Sequence, residues 1–197
     1  ALLEYGFPVT TTVNTNPGYL ILNDQKVKDV SAPQTLTLEG IMRKSSNVGI
    51  SKLALQLSDG NLEKTFHRFG FDEPVFTGFP GESSGRLNAK KNKNDFEKAS
   101  QSFGYGFTVS LPQLVRAYSI IANQGKEVDL TLIARPKDSR KKEQIITKSQ
   151  AHQLQKMLLS VTQKNGTGKR AKVPGMTVAG KTGTTVVASD GSYVNRQ

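Results

Sequence analysis

The chain has 197 residues, no cysteine, two histidines and a formal net charge of +11. That length suffices for one sizeable core, so a single domain is expected. Disulfides, thiolate zinc sites and a three-histidine zinc site are excluded, and no cofactor is expected.

Hydrophobic residues make up only 36% of the chain, a low share for a globular domain. That deficit fits a piece whose most apolar strands lie outside it. No apolar run approaches the ~20 residues that span a bilayer, and nothing reads as a secretory signal.

Residues 7–34 are rich in Thr, Asn and Pro and carry short apolar pairs, which predicts strands and turns with a hairpin around Asn23-Asp24. A helix is expected from about Thr37, with Leu38, Ile41 and Met42 facing inward and a stop at Ser45-Ser46-Asn47. The next places Ile50, Leu53, Ala54 and Leu57 on one stripe. Leu62, Thr65, Phe66 and Phe69 form a third stripe, with Gly70 as its left-handed stop. Residues 72–94 have no period and predict a long surface excursion, functional or mobile.

Ser110-Leu111-Pro112-Gln113 carries a serine cap, a proline in the first turn and a glutamine three residues on. Leu111, Leu114, Val115 and Tyr118 are the expected inward stripe of that helix, which Gly125 ends. Thr147 to Gln150 repeats the cap pattern ahead of Leu154, Met157, Leu158 and Val161. A strand is expected at Met176-Thr177-Val178-Ala179, frayed or held by residues outside this chain, and Asp190-Gly191 fits a tight hairpin turn.

The positive charge gathers at Lys90 to Lys93, Arg135 to Lys142 and Lys164 to Lys172. Its plainer reading is solvated loop charge. The functional ones are attraction to an anionic membrane surface or polymer, or to nucleic acid. The clusters lack interleaved aromatics and a nucleic-acid fold motif, so no nucleic-acid partner is expected.

The run Lys181-Thr182-Gly183-Thr184 is the main chemical signal. An ammonium and two hydroxyls can hold a carboxylate, and the glycine lets a substrate backbone lie close. By itself Lys181 reads more often as a solvent-facing strand lysine. Ser45 and Asn47 by themselves read as helix caps. The one formal Ser-x-x-Lys, Ser139 to Lys142, sits in a polar loop without the burial that would bring a lysine base near neutrality. His67 and His152 read as structural or exposed.

Taken together, several stretches resemble one family. They are Met42 to Leu53, Gly78-Phe79-Pro80-Gly81-Glu82, Ser102 to Gly106, Gly166-Thr167-Gly168, the Lys181 run and Tyr193-Val194-Asn195. The chain resembles the transpeptidase domain of class B penicillin-binding proteins, closest to the division type, penicillin-binding protein 3. The resemblance implies an α+β fold: a helix-rich portion of the penicillin-binding and serine β-lactamase-like fold, with an incomplete antiparallel sheet. It implies that residues 1–197 are a partial transpeptidase domain lacking the Ser-x-x-Lys nucleophile motif and the last strands, and therefore inactive alone.

The same resemblance implies roles. Ser45 would relay a proton to the leaving amine, and Asn47 would bond the substrate peptide and the catalytic lysine. Lys181, Thr182 and Thr184 would hold the substrate carboxylate, with the Thr184 N–H in the oxyanion hole and Gly183 leaving room for the substrate. The implied partners are peptidoglycan stem peptides, β-lactams and, through the parent, division-complex membrane proteins. The implied place is the periplasmic face of the inner membrane, with a transmembrane anchor outside this chain. A serine β-lactamase or D,D-carboxypeptidase of the same fold, or a non-catalytic binding fragment, are the alternatives.

Overall fold

The computed structural model describes residues 1–87, 93–132, 134 and 142–183, and the backbone of 186–189 and 192–195. Near its start lies β1 (Thr12–Asn14), followed by the hairpin strands β2 (Tyr19–Leu22) and β3 (Gln25–Lys28). Asn23 and Asp24 turn that hairpin with φ of 47° and 60°. Asn and Asp tolerate this left-handed backbone better than other residues with a Cβ, so they fit the turn expected there. Next, β4 (Thr35–Thr37) returns antiparallel to β1 and sets Leu36 opposite Val13.

Two short helices follow. The first, α1 (Leu38–Lys44), is capped by Thr37, whose hydroxyl accepts from the Gly40 N–H at 3.1 Å. The second, α2 (Asn47–Ala54), is capped by Ser46, which accepts from Gly49 N–H at 2.9 Å. Then come α3 (Asn61–Arg68), β5 (Arg86–Leu87) and α4 (Asp95–Ser102). After these, β6 (Phe107–Thr108) pairs with β5, and α5 (Leu111–Ala122) and α6 (Lys148–Thr162) follow. A 3-10 turn spans Lys169–Ala171. Last, β7 (Val186–Ser189) and β8 (Ser192–Asn195) pair with Ser189 opposite Ser192. The turn expected at Asp190-Gly191 falls on residues that lie outside the described set.

The core sits where α1 packs on α6. Leu36, Leu38, Ile41, Leu53 and Met157 form it, flanked by Leu2, Leu3, Phe7 and Val13. Each buried aliphatic or methionine side chain contributes about 1.5–3 kcal/mol. A second cluster, Ile120, Ile145, Ile146 and Ala151, joins α5 to α6. Gly125 sits beside it at φ +82°, where a Cβ would come within 2.2 Å of the Ile146 carbonyl oxygen. Gly125→Ala is therefore expected to lower unfolding stability by at least about 2 kcal/mol, as urea denaturation would register.

Helix α5 corrects the sequence reading. Its expected inward stripe faces out: Leu111 is 74% exposed, and Leu114, Val115 and Tyr118 are exposed too. The buried residues are Gln113, Ala117 and Ile120. The reason is Gln113. Its Nε2 donates to the carbonyls of Gly70, Glu73 and Ser84 at 3.4, 2.9 and 2.6 Å, while its Oε1 accepts from Ser110 N–H at 2.9 Å. A polar side chain satisfied this fully can occupy a core position, and it sets the rotation of the helix.

The excursion after Asp72 is more organised than its composition suggests. The Glu82 carboxylate accepts from Thr77 N–H at 3.0 Å, Thr77 Oγ1 at 3.1 Å and Val75 N–H at 2.5 Å. Desolvation pushes its pKa upward, but the hydrogen bonds from Thr77, Val75 and Phe76 outweigh that and hold it below the ordinary 4.5.

The expected strand at Met176 to Ala179 does not form. Residues 176–183 have no ladder partner among the described residues. They lie against α6 instead: Gly180 N–H donates to the Leu158 carbonyl at 3.2 Å, and Thr162 Oγ1 donates to the Val178 carbonyl at 2.6 Å. The described strands form four separate two-stranded antiparallel ribbons. No described helix is long and apolar enough to cross a membrane.

Candidate active site

The junction of α1 and α2 presents the first half of the site. Ser45 ends α1 in the left-handed region, φ 53° and ψ 46°. The Ser46 N–H reaches back to the Ile41 carbonyl at 3.1 Å, closing the helix as a left-handed cap does. Glycine or asparagine is usual there, and a serine pays about 1–2 kcal/mol for that backbone. Such strain is characteristic of sites held for a purpose. Ser45→Gly is accordingly expected to be more stable to denaturant than Ser45→Ala by about 1 kcal/mol, although both remove the hydroxyl. Equal stabilities would contradict the strain.

A buried carboxylate fixes this junction. Asp29 follows β3 and is only 7% exposed. Its Oδ2 accepts from Ser46 Oγ at 2.6 Å and its Oδ1 from Val48 N–H at 2.9 Å. A negative charge at the N-terminus of α2 also meets the favourable end of the helix dipole. Asn47, the first residue of α2, donates from Nδ2 to the Lys28 carbonyl at 3.4 Å. Ser46 is thus the helix cap, and Ser45 and Asn47 stand on either side of it.

The other half comes from the segment after α6. Lys181 Nζ donates to Ser45 Oγ at 2.5 Å and to the Thr182 carbonyl at 3.2 Å. Thr182 Oγ1 lies 3.0 Å from Thr167 Oγ1 and 3.5 Å from Ser45 Oγ, and Ser45 Oγ lies 3.3 Å from Thr167 Oγ1. Three hydroxyls and one ammonium therefore meet, although Ser45 and Lys181 are 136 positions apart. Desolvation of Lys181 lowers its pKa below the ordinary 10.5. A Cβ built on Gly183 would meet no atom of the described residues within 4 Å.

Thr167 has its own support. Its N–H donates to the Arg43 carbonyl at 3.3 Å, and the next N–H, from Gly168, donates to the Val161 carbonyl at 2.9 Å. At Gly166 a Cβ would stand 2.0 Å from the Val161 oxygen, so the turn after α6 needs glycine there.

Of the residues singled out in the sequence, Ser45, Lys181 and Thr182 come together, with Asn47 and Gly183 beside them. Thr184 lies outside the described residues, as do Ser139, Arg140 and Lys141. His67 and His152 are exposed. Sequence reasoning missed Asp29 altogether and gave Thr167 no role, although Gly166-Thr167-Gly168 carried part of the resemblance. Ser45, Asn47, Lys181 and Thr182 edge a cleft of about 450 Å³ whose floor is apolar, with Leu3, Met42, Ile50 and Leu154.

Comparison with known proteins gives the family of the chain. The family model for the penicillin-binding protein transpeptidase domain matches residues 1–197. The probable peptidoglycan D,D-transpeptidase PbpC of Pseudomonas aeruginosa is 35% identical over 196 residues, covering 100% of this chain and 34% of that protein. Peptidoglycan D,D-transpeptidase FtsI of Escherichia coli is 38% identical over 189 residues, covering 94% of this chain and 31% of that protein. The chain thus spans about a third of the length of these relatives. The transpeptidase domain of Burkholderia pseudomallei penicillin-binding protein 3 superposes with a TM-score of 0.87 at 34% identity, covering 95% of this chain and 57% of that one. A helix-rich α+β piece that matches the family model from end to end, with its lysine and hydroxyls gathered at one cleft, belongs to the penicillin-binding protein transpeptidase family.

Proposed function

We propose that this chain forms the carboxylate-holding side of a serine D,D-transpeptidase site. In the intact protein that site would cross-link peptidoglycan stem peptides through an acyl-serine intermediate. The observation that carries the reading is the 2.5 Å approach of Lys181 Nζ to Ser45 Oγ within the ring completed by Thr167 and Thr182. The names of the relatives, peptidoglycan D,D-transpeptidases, support it over β-lactamase or carboxypeptidase chemistry.

In this reading the nucleophilic serine and its lysine base come from the part of the intact protein outside these 197 residues. The serine oxygen attacks the D-alanyl-D-alanine carbonyl, D-alanine departs, and an amine of a second strand resolves the acyl-enzyme, a ping-pong scheme. Ser45 passes a proton to the departing amine. Asn47 donates its amide to the substrate peptide carbonyl. Lys181 and the Thr182 and Thr184 hydroxyls hold the terminal carboxylate, and the Thr184 N–H completes the oxyanion hole. A β-lactam presents the same carboxylate and is trapped as the acyl-enzyme. The parent acts at the periplasmic face of the inner membrane, in company with division proteins.

Intact-protein mass spectrometry with benzylpenicillin tests this. One covalent adduct on the intact protein and none on the isolated chain is the expected result. A stoichiometric adduct on the isolated chain would place the nucleophile within it and refute the reading.

The lowered pKa of Lys181 gives a pH signature. Acylation by carboxylate-bearing donors should fall as pH rises through the folded-state pKa, which lies below 10.5. Between that value and 10.5 the unfolded chain binds more protons, so this group makes stability rise with pH in that window. Lys181→Arg should move the alkaline limb to higher pH, because arginine stays charged. An unmoved limb would assign it to another group.

A further inference from the structure

One basic cluster of the sequence is built into the candidate site. Residues 144–189 contain seven lysines and arginines and no aspartate or glutamate. Four of the seven, Lys164, Lys169, Arg170 and Lys172, flank Thr167 on the turn after α6. We propose that this turn is an electrostatic collar, which gathers acyl donors at the Lys181 ring according to their net negative charge. The proposal rests on the transpeptidase reading above and adds a selection that acts before contact.

The turn is tied both to α6 and to the ring. Gly166 N–H donates to the Gln163 carbonyl at 3.0 Å, Gly168 N–H to the Val161 carbonyl at 2.9 Å, and Ala171 N–H to the Gly168 carbonyl at 2.9 Å. Thr167 Oγ1 lies 3.0 Å from Thr182 Oγ1, and a Cβ built on Gly168 would stand 3.7 Å from Thr182 Cγ2. Successive Cα atoms are about 3.8 Å apart, so the Lys169 Cα lies within about 7.6 Å of the Thr167 Cα. That is inside the ~8–10 Å over which a charge acts through salt solution.

The charge of the turn is not cancelled among the described residues. Lys164, Lys169, Arg170 and Lys172 are exposed, and none forms an ion pair with a described residue. Cations elsewhere are paired: Lys93 with Glu63, Lys98 with Asp59, Arg116 with Glu127 and Lys142 with Asp129. Glu39, on α1, lies 3.6 Å from Arg43 of the same helix. Charges of one sign beside a cleft raise the local concentration of counter-ions. Each further negative charge on a donor adds to that enrichment. Exposed side chains on a surface turn set no shape requirement, so what is selected is charge.

The test uses the intact protein, benzylpenicillin, and carbenicillin, which is benzylpenicillin with one added carboxylate. The readout is the ratio of their second-order acylation constants, carbenicillin over benzylpenicillin, followed against salt. Fit at the cleft enters that ratio equally at every salt concentration, so its salt dependence reports the collar. Raising ionic strength from about 0.01 M to about 1 M shortens the screening length from about 30 Å to about 3 Å and should lower the ratio about fivefold.

Combined Lys164→Glu, Lys169→Glu and Arg170→Glu should lower the low-salt ratio by about the same factor and flatten its salt dependence. A control variant, Lys64→Glu, Lys126→Glu and Lys148→Glu, makes the same change in net charge at the other end of α6. Lys148 opens that helix, about 21 Å from Thr162 by helical rise. Lys126 bridges to Gln144, and Arg68 ties α3 to the Ile145 carbonyl. The control should keep the parent's ratio and salt dependence, with melting temperatures recorded to show that all three proteins fold. A ratio independent of salt in the parent, or one changed equally by both variants, would overturn the collar and leave transpeptidation standing. An intact protein acylated by neither penicillin would overturn both.

Discussion

Lys181→Ala in the intact protein should slow acylation by benzylpenicillin by about 10²–10³-fold, the usual effect of deleting one group that stabilises charge in a transition state. Among the described residues, Lys181 supplies the one ammonium in the ring of hydroxyls formed by Ser45, Thr167 and Thr182. The same change should move unfolding stability by less than about 0.5 kcal/mol, because the residue lies on an exposed segment. Stopped-flow acylation and urea denaturation on the same two proteins separate these effects. Unchanged acylation would end the carboxylate-anchor role, and a large stability loss with proportionate acylation loss would make Lys181 a structural residue.

Asp29→Ala should have the opposite profile, with stability lost first and activity as a consequence. Its carboxylate makes two charge-assisted bonds, to Ser46 Oγ at 2.6 Å and Val48 N–H at 2.9 Å. Each such bond contributes about 1.5–3 kcal/mol. Deletion leaves a buried hydroxyl and a buried N–H with no acceptor, so a loss of about 3 kcal/mol or more is expected. Asp29→Asn can still accept at one oxygen and should lose roughly half as much. Because Ser46 stands between Ser45 and Asn47, acylation should fall in the same order. Denaturation of the three proteins, paired with acylation rates, checks this. Equal stability of all three would show that the helix cap holds itself without Asp29.

The elements that the sequence made legible were those governed by local rules. Thr37, Ser46, Ser110 and Thr147 each cap the helix expected near them, because a hydroxyl three residues before an amide needs no tertiary partner to act. Asn23-Asp24 turned as expected for the same local reason. What failed depended on neighbours. The α5 stripe was read from apolar spacing, but Gln113 found four backbone partners and took the inward position. The Met176 segment was read as a strand that this chain alone would leave frayed; among the described residues it has no ladder, and α6 supplies its contacts instead.

The candidate site divided along the same line. Ser45 and Lys181 were singled out through family likeness, and the fold brings them together. Asp29 was not, since a lone aspartate after a strand carries no sequence signal. Its meaning comes wholly from facing the α2 N-terminus across 17 positions.

A crystal structure of the intact protein acylated by benzylpenicillin would test the carboxylate-holding site most directly. The penicillin carboxylate is expected within hydrogen-bond distance of Thr182 Oγ1, on the Lys181 side of the cleft, with Ser45 Oγ between Lys181 and the acylated serine. A carboxylate pointing away from Thr182 and Lys181, toward solvent, would contradict it.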